Sequence, residues 1–115
     1  MMRKIRINPK AKSDLLEIKK YITDELENPD AATNIVLRIV ESYEKLKEFS
    51  LMGRKLSSKI GIPTDYRYII SGKYIIFYKV DEIYVSIYRI LYGKRDYKKL
   101  LFEEKWNGWN DLQNW

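Results

Sequence analysis

The residues able to do chemistry in this sequence are few, and their types narrow what that chemistry is. Histidine and cysteine are both absent, which rules out imidazole general bases, serine–histidine triads, disulfides and the common imidazole or thiolate metal sites. What remains is Lys, Arg, Tyr, Asp, Glu and the backbone, with no metal or other cofactor expected. One reaction within their reach is cleavage of RNA by its own 2′-OH. Some group must take the hydroxyl proton, another must stabilise the pentacoordinate phosphorane, and a third must protonate the 5′-oxygen. The candidates are Arg67, Arg89, Lys94, Arg95 and Tyr97, with Tyr92 nearby.

Each candidate has a plainer reading. Arg89 alternates with Ile87 and Leu91, so it also reads as a partly buried arginine paired to an acid from a helix. Arg67 also reads as a solvated residue on an outer strand face. Lys94, Arg95, Lys98 and Lys99 also read as the solvated start of a helix that Asp96 would cap. Among the ten tyrosines, Tyr66 and Tyr68 share one strand face, and Tyr74 and Tyr78 share one face of the next. Aromatics at period two suit cross-strand packing better than base stacking.

The elements that would hold these residues follow from periodicity. Arg3 to Asn8 alternates charged and apolar residues, which predicts a short strand. Asn8-Pro9 opens a helix whose apolar stripe is Ala11, Leu15, Ile18, Ile22 and Leu26. Asn28-Pro29-Asp30 opens a second, striped by Ala32, Ile35, Val36, Ile39, Tyr43, Leu46 and Phe49, with Gly53 as its stop. Residues 54–65, with Gly61 and Pro63, show no period and read as a loop. Tyr66–Ile70, Tyr74–Val80 and Ile83–Leu91 then read as three strands joined by the short turns Ser71-Gly72 and Asp81-Glu82. Turns this short force antiparallel pairing. The fold class is therefore α+β: an N-terminal strand as a sheet edge, a two-helix hairpin, and a three-stranded antiparallel meander packed against the helices. A short C-terminal helix is expected within 95–105.

The 115 residues carry a net charge of +6, unevenly placed. Residues 1–53 hold ten Lys/Arg against nine Asp/Glu, residues 54–102 eleven against four, and residues 103–115 one against three. A basic excess confined to one segment suits a polyanion or an acidic protein partner. No stretch reaches the ~20 apolar residues of a membrane span. The charged opening MMRKIRINPK lacks the apolar run of a secretory signal, and a cytoplasmic setting is expected.

The order of elements and four local signatures resemble the RelE/ParE toxin superfamily, the toxic half of type II toxin–antitoxin pairs. The signatures are Pro9-x-Ala11-x-x-Asp14-Leu15, Gly53-Arg54, Tyr66-Arg67, and Arg89-Ile90-Leu91-Tyr92-Gly93-Lys94-Arg95-Asp96-Tyr97. The last, with Arg-Asp followed by an aromatic residue, is more similar to the ParE-like branch. The resemblance covers residues 3 to about 102. It implies a toxin domain over 1–102, leaving a tryptophan-rich extension over 103–115. Trp106, Trp109 and Trp115 lie outside the family pattern, and three readings of them stay open: folding back on an apolar patch, docking on a partner, or disorder.

The resemblance further implies a cognate acidic antitoxin and one of two targets. ParE-like members inhibit DNA gyrase, whereas RelE-like members cut mRNA on the ribosome. The ribosome-dependent nucleases of this family work with clustered Lys and Arg and a Tyr. Their pattern sets Arg67 where a meander lysine sits and Arg95 at a phosphate-binding arginine, and with Arg89 and Tyr97 these are the catalytic candidates if the chain is a nuclease. The sequence departs from that pattern at Ile69 and at Ile75 or Ile76, where basic residues are expected, and Tyr97 follows Arg95 too closely. Those departures count against the nuclease. They favour either a toxin that binds a protein target through Arg54, Arg67, Tyr92, Lys94, Arg95, Lys98 and Lys99, the same face that an antitoxin would cover, or a third reading, a non-toxic module that only pairs with antitoxin and operator DNA.

Overall fold

A computed structural model describes residues 2–95 and 99–103. Strand β1 (Lys4–Ile7) leads into helix α1 (Pro9–Asp24), then helix α2 (Pro29–Glu44) and a 3-10 turn, Lys45–Lys47. Strand β2 (Arg54–Lys55) and helix α3 (Leu56–Ile60) precede β3 (Arg67–Ser71), β4 (Tyr74–Val80) and β5 (Tyr84–Tyr92), and a short helical turn spans Lys99–Glu103. The expected α+β fold is present. Both long helices start as the sequence requires: Asn8 caps α1 by accepting the Lys10 N–H at 2.8 Å, and Asn28 caps α2 by accepting the Ala31 N–H at 3.1 Å. In each, proline takes the first helical position, where its missing N–H leaves no bond unmade.

The five strands form one sheet in the order β1-β5-β4-β3-β2. β1 runs parallel to β5 at one edge, and every other pairing is antiparallel. The segment 54–65 is not a plain loop. It supplies the opposite edge strand β2 and the five-residue α3, both too short for periodicity to reveal. Gly61 ends α3 in the left-handed conformation at φ 69°, the usual use of glycine there.

Both faces of the sheet are buried. Ala11, Ile39, Tyr43 and Leu46 cover Ile76, Tyr78, Val85, Ile87 and Ile90 on the helical face. On the other face, Leu56 of α3 and Leu101 of the C-terminal turn close over Tyr66, Tyr68, Ile75, Phe77, Tyr88 and Leu91. β4 therefore reads as an unbroken apolar run from Tyr74 to Tyr78, as a central strand covered on both sides must. β5 changes phase along its length. Phe77 pairs with Arg89 and Tyr78 with Ile87, leaving Tyr88 as a bulge. Because of it, Ile87 and Ile90 both face the helices although they are three residues apart. The sequence-level alternation of Ile87, Arg89 and Leu91 is broken there, and Leu91 faces away from Ile87.

Candidate functional site

The residues singled out by sequence fall in three separate places. The first is the turn after α2. Tyr78 extends from β4 beneath this turn, donating its hydroxyl to the Ser50 carbonyl at 2.9 Å and accepting the Gly53 N–H at 2.9 Å. Arg67 lies opposite Tyr78 in the strand register. Its guanidinium donates to the Gly53 carbonyl at 2.8 Å and to the Leu51 carbonyl at 3.4 Å. Arg3 reaches the same turn, donating to Ser50 Oγ at 2.6 Å and to the Asp81 carbonyl at 2.7 Å. Arg67 is thus a clamp on backbone carbonyls, half-buried rather than solvated on an outer face.

The electrostatics there oppose proton abstraction. Burial raises the Tyr78 phenol above its ordinary pKa, and the Gly53 hydrogen bond and Arg67 charge offset this only in part. Tyr43, Tyr66 and Tyr74 are raised by burial as well. A tyrosine serving as a general base needs the opposite shift.

The second place is Arg89, at the β5 bulge. Its Nε donates to Asp14 Oδ2 at 2.8 Å and its Nη2 to Asp14 Oδ1 at 3.0 Å, a two-pronged pair with α1. The Ile90 N–H also donates to Asp14 Oδ2, at 2.9 Å. Burial alone would lower the Arg89 pKa, but the hydrogen bond and charge of Asp14 reverse this and hold it raised. Side-chain exposures of 13% for Arg89 and 7% for Asp14 leave little room for a phosphate. The plainer reading of Arg89, as the partner of a helix acid, describes what it does here.

The third place is a groove of about 800 Å3 between the helix hairpin and the β3–β4 turn. Ile18, Tyr21, Leu26 and Ile35 give it an apolar wall, and Tyr74 and Tyr92 stack edge to face at 5.9 Å along its strand side. Arg38, Lys73 and Arg95 bring three cations to the lining. Arg95 and Lys94 are exposed just beyond β5. Arg38, Lys73 and Tyr21 are the functional candidates that sequence reasoning missed. They come from a helix, a turn and another helix, and nothing in their local sequence marks them as neighbours.

The first and third places do not merge into one site, whereas the second adjoins the groove through Asp14 and Ile90. Arg67 pairs with Tyr78, while Tyr92 pairs with Tyr74 at the far end of β4. Four residues separate those positions, about 13 Å along the strand at ~3.3 Å per residue. Arg54 is exposed on the edge strand β2, in register with Tyr68, and Lys99 is exposed in the C-terminal turn. Tyr97, Lys98 and Asp96 lie outside the described residues, as do the three tryptophans.

Comparison with known proteins supplies the family. A family model described as the ParE toxin of the type II toxin–antitoxin system parDE matches residues 5–97. Among solved structures, a chain of the chromosomal ParDE toxin–antitoxin system from P. aeruginosa shares this fold with a TM-score of 0.69. The two are 23% identical, and the alignment covers 81% of this chain and 98% of that one. Among curated protein sequences none matches. With the family model spanning β1 through the residues after β5, this chain belongs to the ParE toxin family, within the RelE/ParE superfamily.

Proposed function

We propose that the chain is the growth-arresting member of a toxin–antitoxin pair and that it acts by occupying a protein target, such as DNA gyrase, rather than by cutting RNA. One observation carries this reading. The arginines that RNA cleavage would recruit are engaged elsewhere, Arg67 on the Gly53 and Leu51 carbonyls and Arg89 on Asp14. Arg95 sits at the opposite end of the sheet from Arg67, beside Tyr92. Charge is therefore dispersed over a surface, which suits contact better than catalysis. Arg54, Lys94, Arg95, Lys98 and Lys99 are the proposed contact points for target or antitoxin. The apolar groove with Arg38, Lys73 and Arg95 fits an acidic, amphipathic antitoxin segment, whose apolar side chains would fill the wall while its carboxylates meet the cations. Target and antitoxin would both be met in the cytoplasm.

The test is induction of the chain in a growing bacterium, with primer extension on abundant mRNAs and plasmid supercoiling followed together. Growth arrest with intact mRNA, filamented cells and altered supercoiling is the expected result. Cuts within translated frames would replace this reading with a ribosome-dependent nuclease. Growth without arrest would leave a module that only pairs with antitoxin and operator DNA.

A further inference from the structure

We propose that the acidic, tryptophan-rich segment 104–115 docks into the groove formed by α1, α2 and the β3–β4 turn when no other partner fills it. The inference concerns the groove described above but does not depend on there being an antitoxin.

Three observations support the pairing. The groove is a concavity of about 800 Å3, and two of its apolar residues, Tyr21 and Leu26, are 57% and 58% exposed. Apolar side chains left open beside a cavity favour a bulky apolar occupant. The segment EKWNGWNDLQNW brings Trp106, Trp109, Leu112 and Trp115, whereas residues 1–103 contain no tryptophan. Charge is complementary as well, since the lining holds three cations against two acids, Glu17 and Asp14, of which Asp14 is paired with Arg89. Arg38, Lys73 and Arg95 face the groove and make no ion pair among the described residues. Residues 104–115 carry two acids, Glu104 and Asp111, against one lysine.

Reach allows the contact. The last described turn, Lys99–Glu103, is anchored by Leu101 against Tyr88 and Leu91, and the neighbouring residues of β5, Ile90 and Tyr92, line the groove from the other side of the sheet. Twelve extended residues span up to ~40 Å at ~3.3 Å each, enough to round the end of the sheet. An intramolecular segment also acts at a high effective concentration, so a modest intrinsic affinity suffices to keep it bound. A competing partner would then have to displace the segment.

The placement of every tryptophan in this one segment makes the test direct. Tryptophan emission of the full chain reports on residues 106–115 and on nothing else. The expected result is a blue-shifted emission, poorly quenched by acrylamide and independent of protein concentration. Tyr21→Glu and Leu26→Glu each reverse it to the emission of free indole while the far-UV circular dichroism is unchanged. Both positions are more than half exposed, so the fold tolerates them. Solvent-like emission in the unaltered chain overturns the proposal. So does a blue shift that survives both groove variants but disappears in Phe49→Glu or Leu51→Glu, which places the segment on another exposed apolar surface. A blue shift lost on dilution also overturns it, since the contact then joins two copies. None of these readouts depends on toxicity, so the proposed target could fail while this contact stands.

Discussion

The hydroxyl of Tyr78 occupies the space that a side chain on Gly53 would need. A Cβ at Gly53 would collide with the Tyr78 oxygen and lie 2.7 Å from the Tyr68 carbonyl oxygen. Because Gly53 also gives its N–H to that hydroxyl, the turn after α2 and the central strand are locked at one point. Gly53→Ala is expected to lose about 1–3 kcal/mol through overpacking. Tyr78→Phe is expected to lose a similar ~1–3 kcal/mol by leaving the Gly53 N–H unpaired. The double variant should lose less than the sum, since removing the hydroxyl relieves part of the clash. Urea unfolding of the four proteins checks this, and strict additivity would count against the joint.

The pair Arg89–Asp14 ties the β5 bulge to α1 across 75 residues of sequence. Removing one partner leaves a buried charge, so Asp14→Ala is expected to cost about 3–5 kcal/mol. Replacing both with leucine should recover most of that loss, because a buried ion pair and an apolar pair are often close in energy. If the double variant proves no more stable than Asp14→Ala, the bond that Asp14 accepts from the Ile90 N–H matters more to stability than the ion pair. Urea unfolding of both variants beside the unaltered chain decides between them.

Alkaline pH should weaken the fold through its tyrosines. Tyr43, Tyr66, Tyr74 and Tyr78 are all raised by burial above the phenol value of 10.0. A raised folded pKa gives stability that is fully present below 10.0 and declines as the pH climbs above it, because the unfolded chain ionises first. Phenolate absorbance followed against pH should therefore show these four tyrosines ionising only as the fold is lost. Ionisation of the four at the ordinary phenol pKa would contradict their burial.

Arg95→Glu and Arg67→Glu separate surface from scaffold. Arg95 is exposed, so its reversal should change stability by no more than about 0.5 kcal/mol. If the charged face carries function, Arg95→Glu still relieves growth arrest. Arg67→Glu breaks the bond to the Gly53 carbonyl and should lose about 1–3 kcal/mol, so its effect on growth mixes contact with folding. Expression-matched growth curves alongside thermal melts distinguish the two, and full toxicity in Arg95→Glu would place the functional face elsewhere.

The sequence by itself determined the long helices, the antiparallel meander and the family. Asn-Pro caps, apolar stripes and tight turns act over a few residues, so they can be read locally. The four signatures behind the family resemblance prove to be two structural joints. Asp14 of the first holds Arg89 of the last, and Gly53 of the second is held by Arg67 of the third. They specify the fold, which is why they reveal the family and say less about the target. Tertiary structure alone decided the rest. The phase change at Tyr88 depends on pairing with β4, the second buried face depends on Leu56 and Leu101 meeting across the sheet, and the groove depends on Arg38, Lys73 and Arg95 converging from distant segments. None of these has a local signature, because each arises where separate pieces of chain pack together and not within any one of them.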